Sequence, residues 1–262
     1  MTRTACLYAL LPLLALAATS DAARAVVLDQ GEIAFAGYIV DEGPRWVWQM
    51  ASSDQVWDVD TDDAHVDVRG WQIFSLSGRG SLPFLEGHLR KVAERGGVGM
   101  TPSVTFSANG VVLSTGTGPL VTRTAIPVKD VQTGEAVGQL AFTLEQALVV
   151  AQGRGAPDEA SADRDLGLAG MALVTEAVSG APGPTLAARL STLMGMNEGS
   201  AQVSMPLTLQ GERVSRQVLA DNRVPMLGGA YASQLSDFEL SWPQESVPAQ
   251  WRATLNVAVT IQ

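Results

Sequence analysis

The sequence predicts an all-β fold: an incomplete immunoglobulin-like sandwich, completed by a donated strand and carrying short helical insertions. Three observations predict it. Short runs rich in Val, Thr, Phe and Ile recur between Gly, Asn and Asp turn signals. Only two stretches carry helical spacing. An alternating strand closes the sequence, and another precedes the body of the chain.

Composition sets the outer bounds. The chain has 262 residues, with 27 Asp and Glu against 17 Lys and Arg and a net charge of -10. That balance excludes a nucleic-acid partner, because nothing in it neutralises a row of phosphates. Hydrophobic residues make up 46% and charged residues 17%. Such a chain buries a large core, which excludes global disorder.

Residues Met1–Ala25 read as a secretory signal peptide. Arg3 supplies the positive start, Ala5–Ala18 the apolar run broken only by Pro12, and Ala23-Arg24-Ala25 the cleavage site, with Ala22 as the alternative. An uncleaved membrane anchor is the competing reading, for which the run is short. The sole cysteine, Cys6, lies in this segment. The expected product begins near Val26, has no disulfide, and is soluble outside the cytoplasm. Its core is large enough to fold without one.

In chain order, residues 26–42 form an N-terminal strand segment ahead of a body spanning 43–262. Gly31–Val40 places Ile33, Phe35, Gly37 and Ile39 on one face, with Glu32, Ala34, Ala36 and Tyr38 on the other. Nine extended residues reach about 30 Å. Gly37 in a row of large side chains marks a shallow accepting groove or a close backbone approach. Leu82–Arg95 reads as a helix, with Leu85, Leu89 and Val92 at helical spacing and Gly96-Gly97 stopping it. Val98–Phe106, Gly110–Ser114, Thr122–Val131 and Ala136–Leu144 read as strands. Asn109-Gly110 is a strong hairpin signal, and Gln132-Thr133-Gly134 is a second turn. Gln152–Asp165, rich in Ala, Gly and Asp, reads as a surface loop or a mobile insertion. Pro184–Met196 is the second helix, through Leu186, Leu190, Leu193 and Met194.

Two further strands follow. Gln202–Leu209 alternates Val203, Met205, Leu207 and Leu209, and Phe238, Leu240 and Trp242 alternate again. The last stretch, Ala253–Gln262, sets Leu255, Val257, Val259 and Ile261 against Thr254, Asn256, Ala258 and Thr260. A sandwich usually continues with one more strand over such an edge. One end of the chain therefore lacks a strand and the other offers one. Gly31–Val40 either pairs within its own sandwich or fills a neighbour's groove by β-strand addition.

Sites for chemistry are sparse. His65 sits in the acidic stretch Asp58–Asp67 and His88 on the expected helix; both read as solvated side chains rather than bases or ligands. Asp58-Val-Asp60-Thr-Asp62-Asp63 opens like a calcium loop, but it lacks the sixth-position Gly and has Arg69 where the bidentate Glu belongs. No nucleophile elbow, HExxH helix or phosphate loop is present. No catalytic residue, metal or cofactor is expected. Trp46, Trp48 and Trp251 fit core packing. Trp57 and Trp71 flank the acidic stretch and are the candidates for receptor contact.

Four motifs carry a family resemblance. They are Gly31–Ile39, Arg45-Trp46-Val47-Trp48-Gln49, Ile126-Pro127-Val128-Lys129 followed by Gly134–Gly138, and Trp251–Val259. Together they resemble fimbrial subunits of the chaperone–usher pathway, of the kappa-clade type that includes major subunits acting also as adhesins. The resemblance implies a donor strand at Gly31, Ile33, Phe35, Gly37 and Ile39. It implies a groove edge and chaperone-binding strand at Leu255, Val257, Val259 and Ile261. The implied partners are a periplasmic pilus chaperone, an outer-membrane usher, neighbouring subunits and host glycoconjugates, and the implied destination is a cell-surface fimbrium. The family's closing aromatic pair is replaced here by Ile261-Gln262, which puts the strength of chaperone docking in doubt. A dedicated glycan-binding tip adhesin and a secreted β-sandwich hydrolase are the rival readings.

Overall fold

The computed structural model describes residues 43–52, 54–115, 120–152, 170–174, 181–200 and 209–261, all within the unit Asp41–Gln262. The expected signal peptide, the Gly31–Val40 strand, residues 153–165 of the expected loop and residues 202–208 lie outside them.

Two long strands form the spine. β9 (Ala136–Gln152) and β12 (Pro225–Pro243) pair antiparallel from Leu227 opposite Gln152 to Ser241 opposite Gln139. A bulge interrupts the ladder between Ser236 and Glu239, where Asp237 takes a φ of 50°. Across the other edge of β12 lie β4 (Leu82–Leu89), β5 (Ala93–Arg95) and β3 (Trp71–Ser75). β1 (Trp46–Met50) flanks β4, and β2 (His65–Val66) flanks β3. Beyond β9 come β8 (Val121–Asp130) with β13 (Trp251–Ala253), and β10 (Gly170–Leu173) with β11 (Leu209–Arg213). Among the described residues these eleven strands make one sheet. The second sheet has three, in the order β14 (Asn256–Thr260), β6 (Ser103–Ala108), β7 (Val111–Thr115). The fold is an all-β sandwich.

The main core lies between the sheets. Val104 and Phe106 of β6 are buried in one cluster with Phe142, Leu144, Leu148 and Val150 of β9 and Trp242 of β12. The opposite face of the large sheet is covered by helix α1 (Pro184–Gly195). Its Leu186, Leu190, Leu193 and Met194 pack on Ala147, Val149, Ala151, Ala230 and Ala232. The alanines let the helix lie close, and helix burial adds to sandwich burial at about 25 cal/mol per Å² of apolar area. Glu145 anchors the helix start, accepting from the Gly183 N–H and from Gln234 Nε2, each at 2.5 Å. A carboxylate at the positive end of a helix is favourable.

Asn197, just past α1, repairs a gap in the ladder. Between β4 and β5, Gly229 of β12 has no strand partner on that edge among the described residues. The buried Asn197 side chain takes that place, accepting from Gly229 N at 3.0 Å and donating to Gly229 O and Leu193 O. Asn197→Ala orphans these buried groups and should cost about 2 kcal/mol in chemical denaturation.

Three expectations are corrected. Leu82–Arg95 is not a helix but β4 and β5, and His88 lies on β4 with Nδ1 2.9 Å from Leu89 O. The strand expected over Val98–Phe106 begins only at Ser103, after Gly97 and Gly99 with φ of 155° and 89°. Ala253–Gln262 is not one strand. Ala253 ends β13 in the large sheet, and the chain crosses at Thr254-Leu255 to form β14 in the small one. Both turn readings hold: Asn109 and Gly110 have φ of 47° and 79°, and Gly134 has 75°.

Candidate functional site

Two of the edge strands lie close together. Among the described residues β1 pairs only with β4, and β14 only with β6. They converge at Gly99. Trp46 Nε1 donates to Gly99 O at 2.9 Å, and a Cβ on Gly99 would lie 3.2 Å from both Pro44 O and Ile261 Cγ2. The start of β1 and the end of β14 therefore border one groove. At its other end, Phe84 of β4, half-buried, lies 5.9 Å from Phe106 of β6.

Burial across the β14–β6 ladder shows what the groove lacks. Val257 stands opposite Phe106 and Val259 opposite Val104. Phe106 and Val104 are 0% exposed, whereas Leu255, Val257 and Val259, facing the same core, are only half-buried. Ile261 is 53% exposed. Among the described residues no strand lies on the outer side of this partly wet, core-facing row.

The β1 wall is aromatic. Trp46 and Trp48 stack at 5.3 Å and 22°, and Trp48 meets Tyr231 at 5.5 Å. Glycines make room for them: a Cβ at Gly87 would sit 2.5 Å from the Trp48 ring, and one at Gly229 would sit 3.0 Å from Trp46. Behind this wall a polar line joins the two sheets. Tyr231 O–H donates to Gln146 Oε1, and Gln146 Nε2 donates to Ser114 Oγ of β7, both at 2.9 Å. Burial raises the Tyr231 phenol well above its ordinary range.

On the helix side, Glu86 of β4 is 1% exposed. It accepts from Arg189 Nε and Nη2 of α1, both at 2.6 Å, and from Gln49 Nε2 of β1 at 2.7 Å. The Arg189 hydrogen bonds hold its carboxyl below the ordinary range, against the opposing pull of burial. One carboxylate thus ties the groove wall β1 to the helix beneath the sheet. Sequence reading missed this cluster. A lone Glu between Leu85 and Gly87 in an apolar run was the available signal.

The other expected candidates lie apart from the groove. Trp57 is half-buried with its ring edge-on to Phe238 at 4.7 Å. Trp71 is half-buried at the start of β3, opposite Pro243. The acids between them serve turns. Asp60 Oδ1 accepts from Asp62 N, and Asp67 accepts from Arg69 N, Arg69 Nε and Trp71 N. The Trp71 N–H bond, foremost, lowers the Asp67 carboxyl below its ordinary value. Among the described residues no group of three His, Cys, Asp or Glu side chains is placed to hold a metal. The donor residues Gly31, Ile33, Phe35, Gly37 and Ile39 lie outside the described residues.

Among the described residues no helix is long and apolar enough to cross a membrane. No curated protein sequence matches the chain. The family model described as fimbrial, major and minor subunit matches residues 1–262. The chain belongs to the family of fimbrial major and minor subunits, structural proteins that associate with one another in surface fimbriae.

Proposed function

We propose that this subunit polymerises by donor-strand exchange after chaperone-assisted export, as a kappa-clade member of the chaperone–usher pathway. The observation that carries the reading is the half-burial of Val257 and Val259 on an edge strand whose facing ladder partners, Phe106 and Val104, are fully buried. A bare edge of this kind is an aggregation hazard. A periplasmic chaperone lends it a strand, and at the outer-membrane usher the Gly31–Val40 segment of the next subunit replaces that strand. Ile33, Phe35 and Ile39 then fill the groove, and Gly37 passes its tightest point. Pilin donor-strand complementation is a known instance of strand addition. The contact is head-to-tail and does not close, so the product is a fibre. The role is structural rather than catalytic. Adhesion to host glycoconjugates would fall to Trp71 or Trp57, of which Trp57 has an edge contact to the core.

Peptide capture tests the reading. The exported chain, incubated with a labelled Gly31–Val40 peptide, should form a one-to-one complex that survives gel filtration. A Phe35→Asp peptide should be captured at least about tenfold less, since it puts a charge into an apolar slot. Equal capture of both peptides would sink the proposal.

A further inference from the structure

We propose that successive subunits abut through oppositely charged ends, and that this junction selects the direction in which the donated strand enters the groove. The inference rests on the strand-exchange reading and adds a body-to-body contact to it.

β12 serves as a ruler. Arg95 pairs with Pro225 at its start, while Ser75 and Trp71 pair with Glu239 and Pro243 at its finish. That separation is about 50 Å of extended chain. Around the first end, Arg45, Arg90, Lys91 and Arg95 are exposed. A cavity of about 370 Å³ opens there, lined by Lys91 and Arg95 together with Gly43 and Pro44. Glu94, Glu198 and Asp221, the last ion-paired with Arg223, are the counter-charges among the described residues; Asp41 and Glu42 precede them in the sequence. Around the second end, Asp58, Asp60, Asp62 and Asp63 are exposed, and cations there are Arg69, paired with Asp67, and Lys129 and Arg252 on the β8–β13 edge. A second cavity of about 370 Å³ is lined by three of the four exposed aspartates, with the apolar Phe74 and Leu76 and the counter-charge Arg79. In a chain of net charge -10, cations clustered at one end are an asymmetry.

The free edge points from the acidic end toward the basic end. β14 follows directly on β13, which pairs with Val128–Asp130 of β8; Lys129 is paired in turn with Ala136 at the start of β9, near the acidic end. β14 finishes toward Ile261 against Gly99 and Pro44, at the basic end. A donor segment joins its own body at Gly43-Pro44, also at the basic end. Antiparallel entry sets Val40 of the donor beside Asn256, and so lays the donor's basic end on the acceptor's acidic end. Parallel entry would bring basic end to basic end. Antiparallel pairing is also slightly more stable per residue. Charge and ladder therefore favour the same polarity, and the partner is a second copy of this chain.

The test uses the full exported chain and measures the initial rate of head-to-tail dimer formation at low and high salt. Asp62→Lys with Asp63→Lys, and separately Arg90→Glu with Arg95→Glu, should each slow dimer formation about tenfold at low salt. Near 1 M salt the difference should vanish. One chain carrying all four changes presents reversed but complementary ends, and should recover the original rate. Uptake of the free Gly31–Val40 peptide, which has no body attached, should be the same in every variant. Unchanged dimer rates with peptide uptake intact would overturn the charged junction and leave strand exchange standing. Failure of the unaltered chain to take up the peptide would overturn both. A four-fold variant that stays slow would show that the single reversals acted by damage rather than by charge.

Discussion

A body lacking residues 26–42 should gain at least about 10 °C in melting temperature when the Gly31–Val40 peptide is added. The size follows from the groove. Ile33, Phe35 and Ile39 are each worth about 1.5–3 kcal/mol when buried, or roughly 5–9 kcal/mol together. Their burial also dries the outer flank of Leu255, Val257 and Val259, which is half-wet without them. Ordering the peptide offsets part of this gain. At about 2–4 °C per kcal/mol for a domain of this size, about 5 kcal/mol net raises the transition by 10–20 °C. A body already stable alone, with no shift on adding peptide, would mean that the sandwich is complete and that β14 has another partner.

The second large effect is expected at Arg189. Arg189→Met removes both charged donors from the buried Glu86 carboxylate and leaves it Gln49 alone. Breaking a buried pair from one side costs about 3–5 kcal/mol; partial exposure of Arg189 places the expectation near about 3 kcal/mol. Arg189→Lys should recover only part, because a lysine cannot reproduce the two parallel bonds. The pair also sets an acid limit. Glu86 titrates below its ordinary value of 4.5 in the folded chain. Its contribution is therefore fully present above that value and is lost as pH falls through the folded one. In Arg189→Met the buried carboxyl loses what lowers it, so the acid-induced loss should shrink or reverse. Denaturant midpoints of both chains between pH 3 and pH 7 decide the matter; parallel curves would mean that Glu86 is not the group concerned.

Elements with one wet face were legible in the sequence. β8 and the Asn109-Gly110 turn alternate because one side meets water, and their readings held; the alternation of β14 was legible too, but not the switch of sheets at Thr254-Leu255. Elements covered on both faces were not. In β4, Leu85 and Leu89 face the sandwich while Glu86 turns toward α1, so the polar position that should mark the wet side of a strand is an internal ion pair. With Val92 added, the remaining apolar spacing imitates a helix. β9 was read only to Leu144, yet it runs to Gln152. Beyond Leu144 its Leu148 and Val150 enter one core and its Ala147, Val149 and Ala151 the other, and such a run carries no period of two. The alternation at Val257 and Val259 could be read because their strand neighbours Asn256, Ala258 and Thr260 meet water. The Trp46–Trp48 wall could be expected as core, but its dependence on Gly87 and Gly229 is a matter of close approach that spacing does not encode.

The five-residue ladder between β1 and β4 has a mechanical meaning. A pull applied at Pro44 along the strand loads β1 lengthwise, so its rungs from Trp46 opposite Leu89 to Met50 opposite Leu85 are strained together rather than peeled in turn. Sliding β1 would also drag the Trp48 ring off Gly87 and draw Gln49 away from the carboxylate that Arg189 grips. Traction on the N-terminus is thereby shared among sheet, aromatic wall and helix before any single bond has to yield.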